Sequence, residues 1–152
     1  RKATPEDTPT IFNLIYKLAV YEKLENDVIT SVEELRTNIF EKKFAEVLIA
    51  EEDEKPVGFA LYFHNFSTFV GKPGIYLEDL FVEPETRGKG YGKALLVELA
   101  RIAKERNCGR LEWSVLNWNT PSIEFYKSLG AKPMDEWTVF RLDKDGIENL
   151  AK

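Results

Sequence analysis

Apolar residues recur every three to four positions in three stretches of the chain, and each stretch predicts an amphipathic helix. The first opens at residues 4–7, a typical helix start, although Pro9 allows a later one. The second follows three glycines and runs to about Asn107, and the third opens at Thr120 and is closed by Gly130. The apolar positions are Ile11, Leu14, Ile15, Leu18 and Ala19 in the first, Leu95, Leu96, Leu99, Ile102 and Ala103 in the second, and Ile123, Phe125, Tyr126 and Leu129 in the third.

The other apolar segments are bounded by Gly, Pro or charged turns and predict strands. They lie at 45–52, 56–66, 74–82, 110–116 and 136–143. A capping box, Ser31-x-x-Glu34, predicts a short helix before the first strand, and a short charged tail follows the last. Helices, a strand meander, helix, strand, helix and strand in that order predict a mixed α/β sandwich around one sheet.

Composition narrows the class of protein. The chain has 152 residues, 43% of them hydrophobic and 31% charged, without repeats or linkers, which predicts a single domain over 1–152. The net charge of −5 disfavours nucleic acid as the main partner and is compatible with a cationic substrate. Apolar runs such as 59–63 are far shorter than the ~20 residues of a membrane span, so no membrane partner is expected.

The single cysteine, Cys108, forms no internal disulfide and fits a reducing cytoplasm. The first residue is Arg1 rather than Met, which is compatible with a few missing N-terminal residues. Cys108 lies away from every motif, and His64 sits alone in a strand, so we assign neither a catalytic role. The sequence contains no cluster typical of a metal site, and we expect no metal.

The stretch before the second long helix carries the first candidate chemistry. Glycines occupy the alternate positions 88, 90 and 92. Arg87 precedes them, and Lys89 lies between the first two. Glycines let backbone N–H groups approach a ligand closely, and the N-terminus of a helix favours an anion. A diphosphate fits this loop. The alternative is a glycine-rich turn that only lets the strand and the helix pack together.

Two common phosphate-binding loops do not fit the spacing. A P-loop ends in Gly-Lys-Ser/Thr, whereas Gly92-Lys93 is followed by Ala94, which leaves no hydroxyl for magnesium. The dinucleotide fingerprint has the spacing G-x-G-x-x-G and lies in a βαβ unit, whereas this loop has G-x-G-x-G.

Two motifs together resemble a known family. Arg87-x-x-Gly90-x-Gly92 after "LEDLFVEPET" and "NWNTPSIEFYKSLGA" at 117–131 resemble the hallmarks of the GNAT N-acetyltransferases, in the branch of the spermidine/spermine and thialysine acetyltransferases. The resemblance covers nearly the whole chain. It implies a mixed, mostly antiparallel central sheet flanked by helices and splayed between its fourth and fifth strands. It also implies acetyl-CoA as co-substrate and a homodimer.

The resemblance assigns roles to residues in both motifs. Asn119 would bind the pantetheine arm, the backbone around Phe81 and Val82 would face the acetyl carbonyl, and Tyr126 would be the general acid. By spacing alone, Tyr126 is more typical of core packing. The full set of cofactor-binding residues is Phe81, Val82, Arg87, Gly88, Lys89, Gly90, Tyr91, Gly92, Asn119 and Tyr126.

Glu78 is the candidate base because an amine must lose its proton before it attacks. Strand alternation places Glu78 on a largely apolar face, a setting that raises a carboxyl pKa, and places Asp79 on the opposite face. The alternative is a structural pair bonded to backbone. The resemblance puts both carboxylates on the substrate side, with Asp79 near the amine.

Two loop positions bear on the substrate. Where polyamine-acetylating relatives have Asp and Trp, this chain has Ser67 and Phe69, and Glu22 remains as a further cation contact. We therefore expect direct transfer to a small primary amine, lysine-like or a diamine, in preference to spermine. A non-catalytic acyl-CoA-binding module and a nucleotide phosphate-binding protein are the alternatives.

Overall fold

A computed structural model describes every residue, Arg1–Lys152, in two compact units, Arg1–Ser114 and Val115–Lys152. The first unit contains α1 (Thr8–Tyr21), α2 (Val32–Arg36), β1 (Glu46–Glu52), β2 (Lys55–Ser67), β3 (Lys72–Val82), α3 (Tyr91–Glu105) and β4 (Leu111–Trp113). The second contains α4 (Thr120–Ser128) and α5 (Lys144–Leu150). Whether the two units act as one domain stays a prediction.

The helix starts follow the predicted capping chemistry. One 3₁₀ turn, Pro5–Asp7, precedes α1, so the later start that Pro9 allows is the observed one. The Ser31 hydroxyl accepts a hydrogen bond from the Glu34 N–H at 3.1 Å, which confirms the cap of α2. A π-helical turn, Thr37–Glu41, extends this helix.

The first unit is built on one sheet with the strand order β1-β2-β3-β4. The first three strands pair antiparallel, and β4 runs parallel to β3. Residues Arg1–Ala3 add a short antiparallel bridge along the free edge of β1, through Lys2 and Leu48. The mixed, mostly antiparallel sheet predicted from the sequence is confirmed.

Helices cover both faces of this sheet. One apolar cluster lies between α1 and one face and contains Ile11, Leu14, Leu18, Ile39, Val47, Ile49, Phe59, Leu61 and Phe81. The buried stripe of α3 packs on strand residues that alternate with these, and its members are Leu95, Leu96, Leu99 and Ile102. Packing on the sheet thereby positions the C-terminus of α1 and the N-terminus of α3.

Two irregularities in β3 shape its C-terminal half. Leu61 pairs with Asp79 while the next residue, Tyr62, pairs with Leu77, so Glu78 is an extra residue in a β-bulge. The parallel pairing with β4 covers only Ile75–Leu77. From Glu78 onward one edge of β3 has no strand beside it, as expected for a sheet splayed at this point. With the N-terminal bridge counted first, β3 and β4 are its fourth and fifth strands.

The second unit departs from the sequence prediction. Helix α4 ends at Ser128, with Gly130 in the left-handed conformation at a φ of 91°, as predicted. The strand predicted at 136–143 is wrong, since no strand pairs with this segment and Trp137, Val139 and Phe140 are largely exposed. An apolar run alternates like a strand, but a strand forms only where a partner satisfies its backbone. The predicted charged tail is helix α5, capped by Asp143.

Candidate active site

The glycine loop has the geometry of an anion cradle. Gly90 caps the N-terminus of α3 without any side-chain hydrogen bond. Gly88 and Gly90 have φ angles of +85° and +87°, and a Cβ on either would point into open space. These backbone angles strain any L side chain, and the free N–H groups of the first helical turn face the space that side chains leave. The loop therefore fits a diphosphate group.

The two cations of the loop are held by protein groups. Arg87 donates from Nε to the Val82 carbonyl at 3.0 Å, and its guanidinium lies 5.0 Å from the centre of the Tyr21 ring and 5.6 Å from that of Phe81. Lys89 forms an ion pair with Glu52 at 3.0 Å. Arg87 thus ties the loop to the end of α1, and Lys89 ties it to β1.

Glu52 was missed by sequence reasoning because it is the last residue of β1, next to a charged turn, and belongs to no motif. It accepts hydrogen bonds from Lys89 and from the Tyr91 hydroxyl, at 2.8 Å for the latter. These contacts hold the pKa of the Glu52 carboxyl below its usual value. Glu52 of β1 therefore binds both Lys89 of the loop and Tyr91 of α3, beside the cradle.

The unpaired edge of β3 lies directly before this loop. Phe81 and Val82 pair with Phe59 and Gly58 of β2 on one side only. Their second edge is free to bind an extended ligand by backbone hydrogen bonds, as an added strand would. The Phe81 side chain is buried in the cluster under α1. The predicted cofactor-binding residues Phe81, Val82 and 87–92 thus lie at the end of β3, in the loop and at the start of α3, all in the first unit.

Three carboxylates gather at the bulge. Asp79 pairs with Leu61 and Leu77 with Tyr62, so Asp79 and Leu77 face opposite sides of the sheet although they are two residues apart. The bulge thus overturns the simple strand alternation, which would put Asp79 and Leu77 on the same face. Asp79 lies on the α1 side, where Glu22 follows the last residue of that helix.

The charges of this cluster act on one another. Burial is the main cause that raises the pKa of Asp79 to about 7, and Glu78 and Glu22 add to it. Burial also raises the pKa of Glu22, with Glu78 as the second cause. None of the three forms a salt bridge. No group of three or more His, Cys, Asp or Glu side chains is arranged to hold a metal. The cluster is suited to an organic cation.

The second unit carries the other two candidates. Asn119 is 7% exposed and caps α4, since its Oδ1 accepts from the Ser122 N–H at 3.4 Å. Tyr126 lies two helical turns later, half-buried, with its ring centre 5.7 Å from that of Phe125. Asn119 thus immediately precedes α4 and Tyr126 lies within it, so this one helix positions both residues.

Ser67 and Phe69 lie elsewhere on the first unit. Both are at the tip of the β2–β3 hairpin, where Ser67 is buried and accepts from the Val70 N–H, and Phe69 is fully exposed. Ser67 lies six positions along β2 from Leu61, the partner of Asp79, which is roughly 20 Å at ~3.3 Å per residue. Ser67 and Phe69 therefore lie far from the carboxylate cluster of the same chain. Their role in substrate binding stays a prediction.

His64 has a structural role. Its Nδ1 lies 3.0 Å from the Gly74 carbonyl and its Nε2 3.0 Å from Arg106, which also pairs with Glu46 at 2.7 Å. A carbonyl only accepts, so Nδ1 carries the proton and Nε2 accepts from Arg106. The ring joins β2, β3 and the end of α3.

Comparison with known proteins decides the family. The family model described as "Acetyltransferase (GNAT) family" matches residues 12–131. This chain belongs to the GNAT family. The matched segment contains the cradle, the open edge of β3, the bulge and α4.

Relatives of this GNAT chain agree with the branch predicted from its motifs. It is 39% identical to the thialysine N-epsilon-acetyltransferase of Bos taurus over 163 residues, covering 99% of this chain and 95% of that one. It is 29% identical to the L-ornithine N5-acetyltransferase of Arabidopsis thaliana, covering 100% of this chain and 87% of that one. An integron cassette protein from the mobile metagenome of V. cholerae is 31% identical, with a TM-score of 0.83, over 100% of this chain and 96% of that one. The chain is an N-acetyltransferase.

No helix combines the length and apolar character that crossing a membrane requires.

Proposed function

We propose that the protein transfers the acetyl group of acetyl-CoA directly to a primary amine of a small cationic substrate. The observation that carries this proposal is the uncompensated cluster of Glu22, Glu78 and Asp79 beside the open edge of β3. Glu22 and Asp79 are partly buried, where negative charge without a partner is unfavourable, and a bound ammonium supplies the missing positive charge. The C-terminus of α1, where Glu22 lies, favours a cation as well.

Acetyl-CoA supplies a thioester when bound. Gly88, Gly90 and the free N–H groups of the first turn of α3 would hold its diphosphate, with Arg87 adding positive charge. The backbone of Phe81 and Val82 would hold the extended arm and face the acetyl carbonyl. Asn119 would contribute a hydrogen bond from α4.

Two proton movements complete the reaction. An alkylammonium has a pKa near ~10.4, so a base must take its proton before the nitrogen attacks. The sequence motif nominates Glu78 as that base, with Asp79 close to the amine. Tyr126 would give a proton to the departing sulfur. We infer direct transfer, because Cys108 lies between α3 and β4, outside the cradle and the carboxylate cluster.

The substrate follows from the number and place of the charges. Three carboxylates at one bulge suit one or two ammonium groups a short distance apart, while Ser67 offers no carboxylate for a more distant amine. The thialysine and ornithine enzymes are named for amines of this short kind. We therefore propose a lysine-like side chain or a diamine over spermine, compared by kcat/KM.

Two assays test this function. Thermal unfolding with acetyl-CoA, free CoA and ATP separately should show stabilisation by the first two only, because mass action favours the folded protein that binds them. Thiol release from acetyl-CoA with a panel of amines then separates an enzyme from a non-catalytic acyl-CoA-binding module. Stabilisation by acetyl-CoA without amine-dependent thiol release would favour the binding module. Stabilisation by ATP alone would contradict both.

A homodimer and a cytoplasmic location are further parts of the proposal, taken from the family resemblance and the single Cys108. Sedimentation at several protein concentrations measures the first. Fractionation of cells measures the second.

A further inference from the structure

We infer that Asp79, rather than Glu78, is the group that takes the proton from the attacking amine, while Glu78 and Glu22 hold the ammonium by charge. This inference rests on the proposed acetyl transfer. It concerns which carboxylate acts as the base, a point that the sequence motif assigns to Glu78.

The β-bulge gives the two neighbouring carboxylates different surroundings. Glu78 is the unpaired extra residue of the bulge, and its side chain is exposed to water. Asp79 is back in register opposite Leu61, half-buried on the face where Phe81 and Leu61 close the cluster under α1. A bulge can re-aim one side chain without breaking the rest of a strand pairing.

These surroundings suit the two residues to different tasks. Water solvates the charge of an exposed carboxylate, which remains free to attract a cation at longer range. Asp79 has lost much of its water, forms no salt bridge and has two carboxylates close by, so a proton is the readiest way to lower its energy. Its pKa of about 7 lies near neutral pH, where a general base works best.

The charged groups around Asp79 are few. On α1, Glu22 faces it, whereas Lys17 is paired with Glu83 at 2.6 Å. On β2 its cross-strand neighbour is the apolar Leu61. On β3, Glu78 precedes it. After β3, the Arg87 guanidinium lies over the Phe81 ring.

The step is balanced in atoms and charge. The substrate ammonium loses one proton to the Asp79 carboxylate, and its nitrogen lone pair attacks the acyl carbon of the thioester. The C–N bond forms, the C–S bond breaks, and the electron pair leaves on sulfur, which is then protonated. Asp79 afterwards returns its proton to water.

Three variants that each remove one negative charge, and one that conserves it, test the assignment by the pH profile of kcat/KM, which reports the free enzyme. Asp79→Asn should lower kcat by roughly 10²–10⁴ and remove the acidic limb near pH 7. Asp79→Glu should restore part of the rate. Glu78→Gln and Glu22→Gln should chiefly raise KM for the amine. Both should also move the limb to lower pH, because each removes a negative charge that raises the pKa of Asp79.

Glu54→Gln, in the exposed β1–β2 turn, is the control for the same change of net charge and should leave the profile in place. The inference is overturned if Glu78→Gln loses the limb and the rate while Asp79→Asn keeps both. It is also overturned if neither glutamine variant moves the limb. A wild-type protein without acetyl transfer to any amine would instead refute the proposed function, so the two failures are distinguishable.

Discussion

Replacing Asp79 by Asn should stabilise the folded protein, and by more as the pH rises. The pKa of Asp79 is raised from 3.8 to about 7, so between these values the folded state binds more protons than the unfolded state. Stability therefore falls as the pH rises through this window, and the loss is complete above pH 7. A neutral amide of the same shape avoids that loss.

The size of the effect follows from the shift. About three pKa units at ~1.36 kcal/mol each give an upper value of roughly 4 kcal/mol at pH 8, falling to under about 1 kcal/mol at pH 4. For a chain of this length, ~1 kcal/mol moves Tm by roughly 2–4 °C, so the upper value of ~4 kcal/mol corresponds to a rise in Tm at pH 8 of roughly 8–16 °C.

Urea unfolding of wild type and Asp79→Asn at pH 4, 6 and 8 measures this directly. The gap should be small at pH 4 and largest at pH 8, and Glu54→Gln should show no such trend. An Asp79→Asn protein that is no more stable than wild type at pH 8 would refute the burial argument. A gap that does not change with pH would refute it as well. The same variant should lose activity, a trade between stability and function expected at a strained site.

Three further changes probe other parts of the structure. Gly90→Val should weaken acetyl-CoA binding at least tenfold, while Gly71→Val, with a similar φ of +73° and equally open space at the hairpin turn, carries the same backbone strain and should not. Equal affinity of the two variants for acetyl-CoA would contradict the assignment of the glycine loop as the diphosphate site. Tyr126→Phe should lower kcat by roughly 10²–10⁴ with little change in cofactor affinity, and near wild-type turnover would leave Tyr126 a packing residue. Arg106→Met should lower the free energy of unfolding by about 1 kcal/mol through the lost pair with Glu46, without changing KM, and an unchanged urea midpoint would contradict it.

Much of the fold follows from local pattern. The capping bond of Ser31, the apolar stripe of α3 and the end of α4 at Gly130 each depend on residues close in sequence, and the structure confirms them. The glycine loop was also predictable, because positive φ angles and a helix start without a side-chain cap restrict the sequence strongly.

What the sequence could not reveal depends on pairing between distant segments. The extra residue at Glu78 exists only relative to β2, so strand alternation alone puts Asp79 on the face of Leu77, whereas the pairing with β2 puts the two on opposite faces. The segment 136–143 has the alternation of a strand but no partner strand. The contact of Glu52 with Lys89 joins residues 37 apart, and no short motif encodes it.

Identification of the product decides whether the protein acetylates a small primary amine. The protein is incubated with acetyl-CoA and, separately, with thialysine, a short diamine or spermine, and both the released thiol and the acetylated amine are quantified. We expect one N-acetylated amine for each CoA thiol released, with a higher kcat/KM for thialysine or the diamine than for spermine. Thiol release at the rate seen without amine, or a clear preference for spermine, would contradict it.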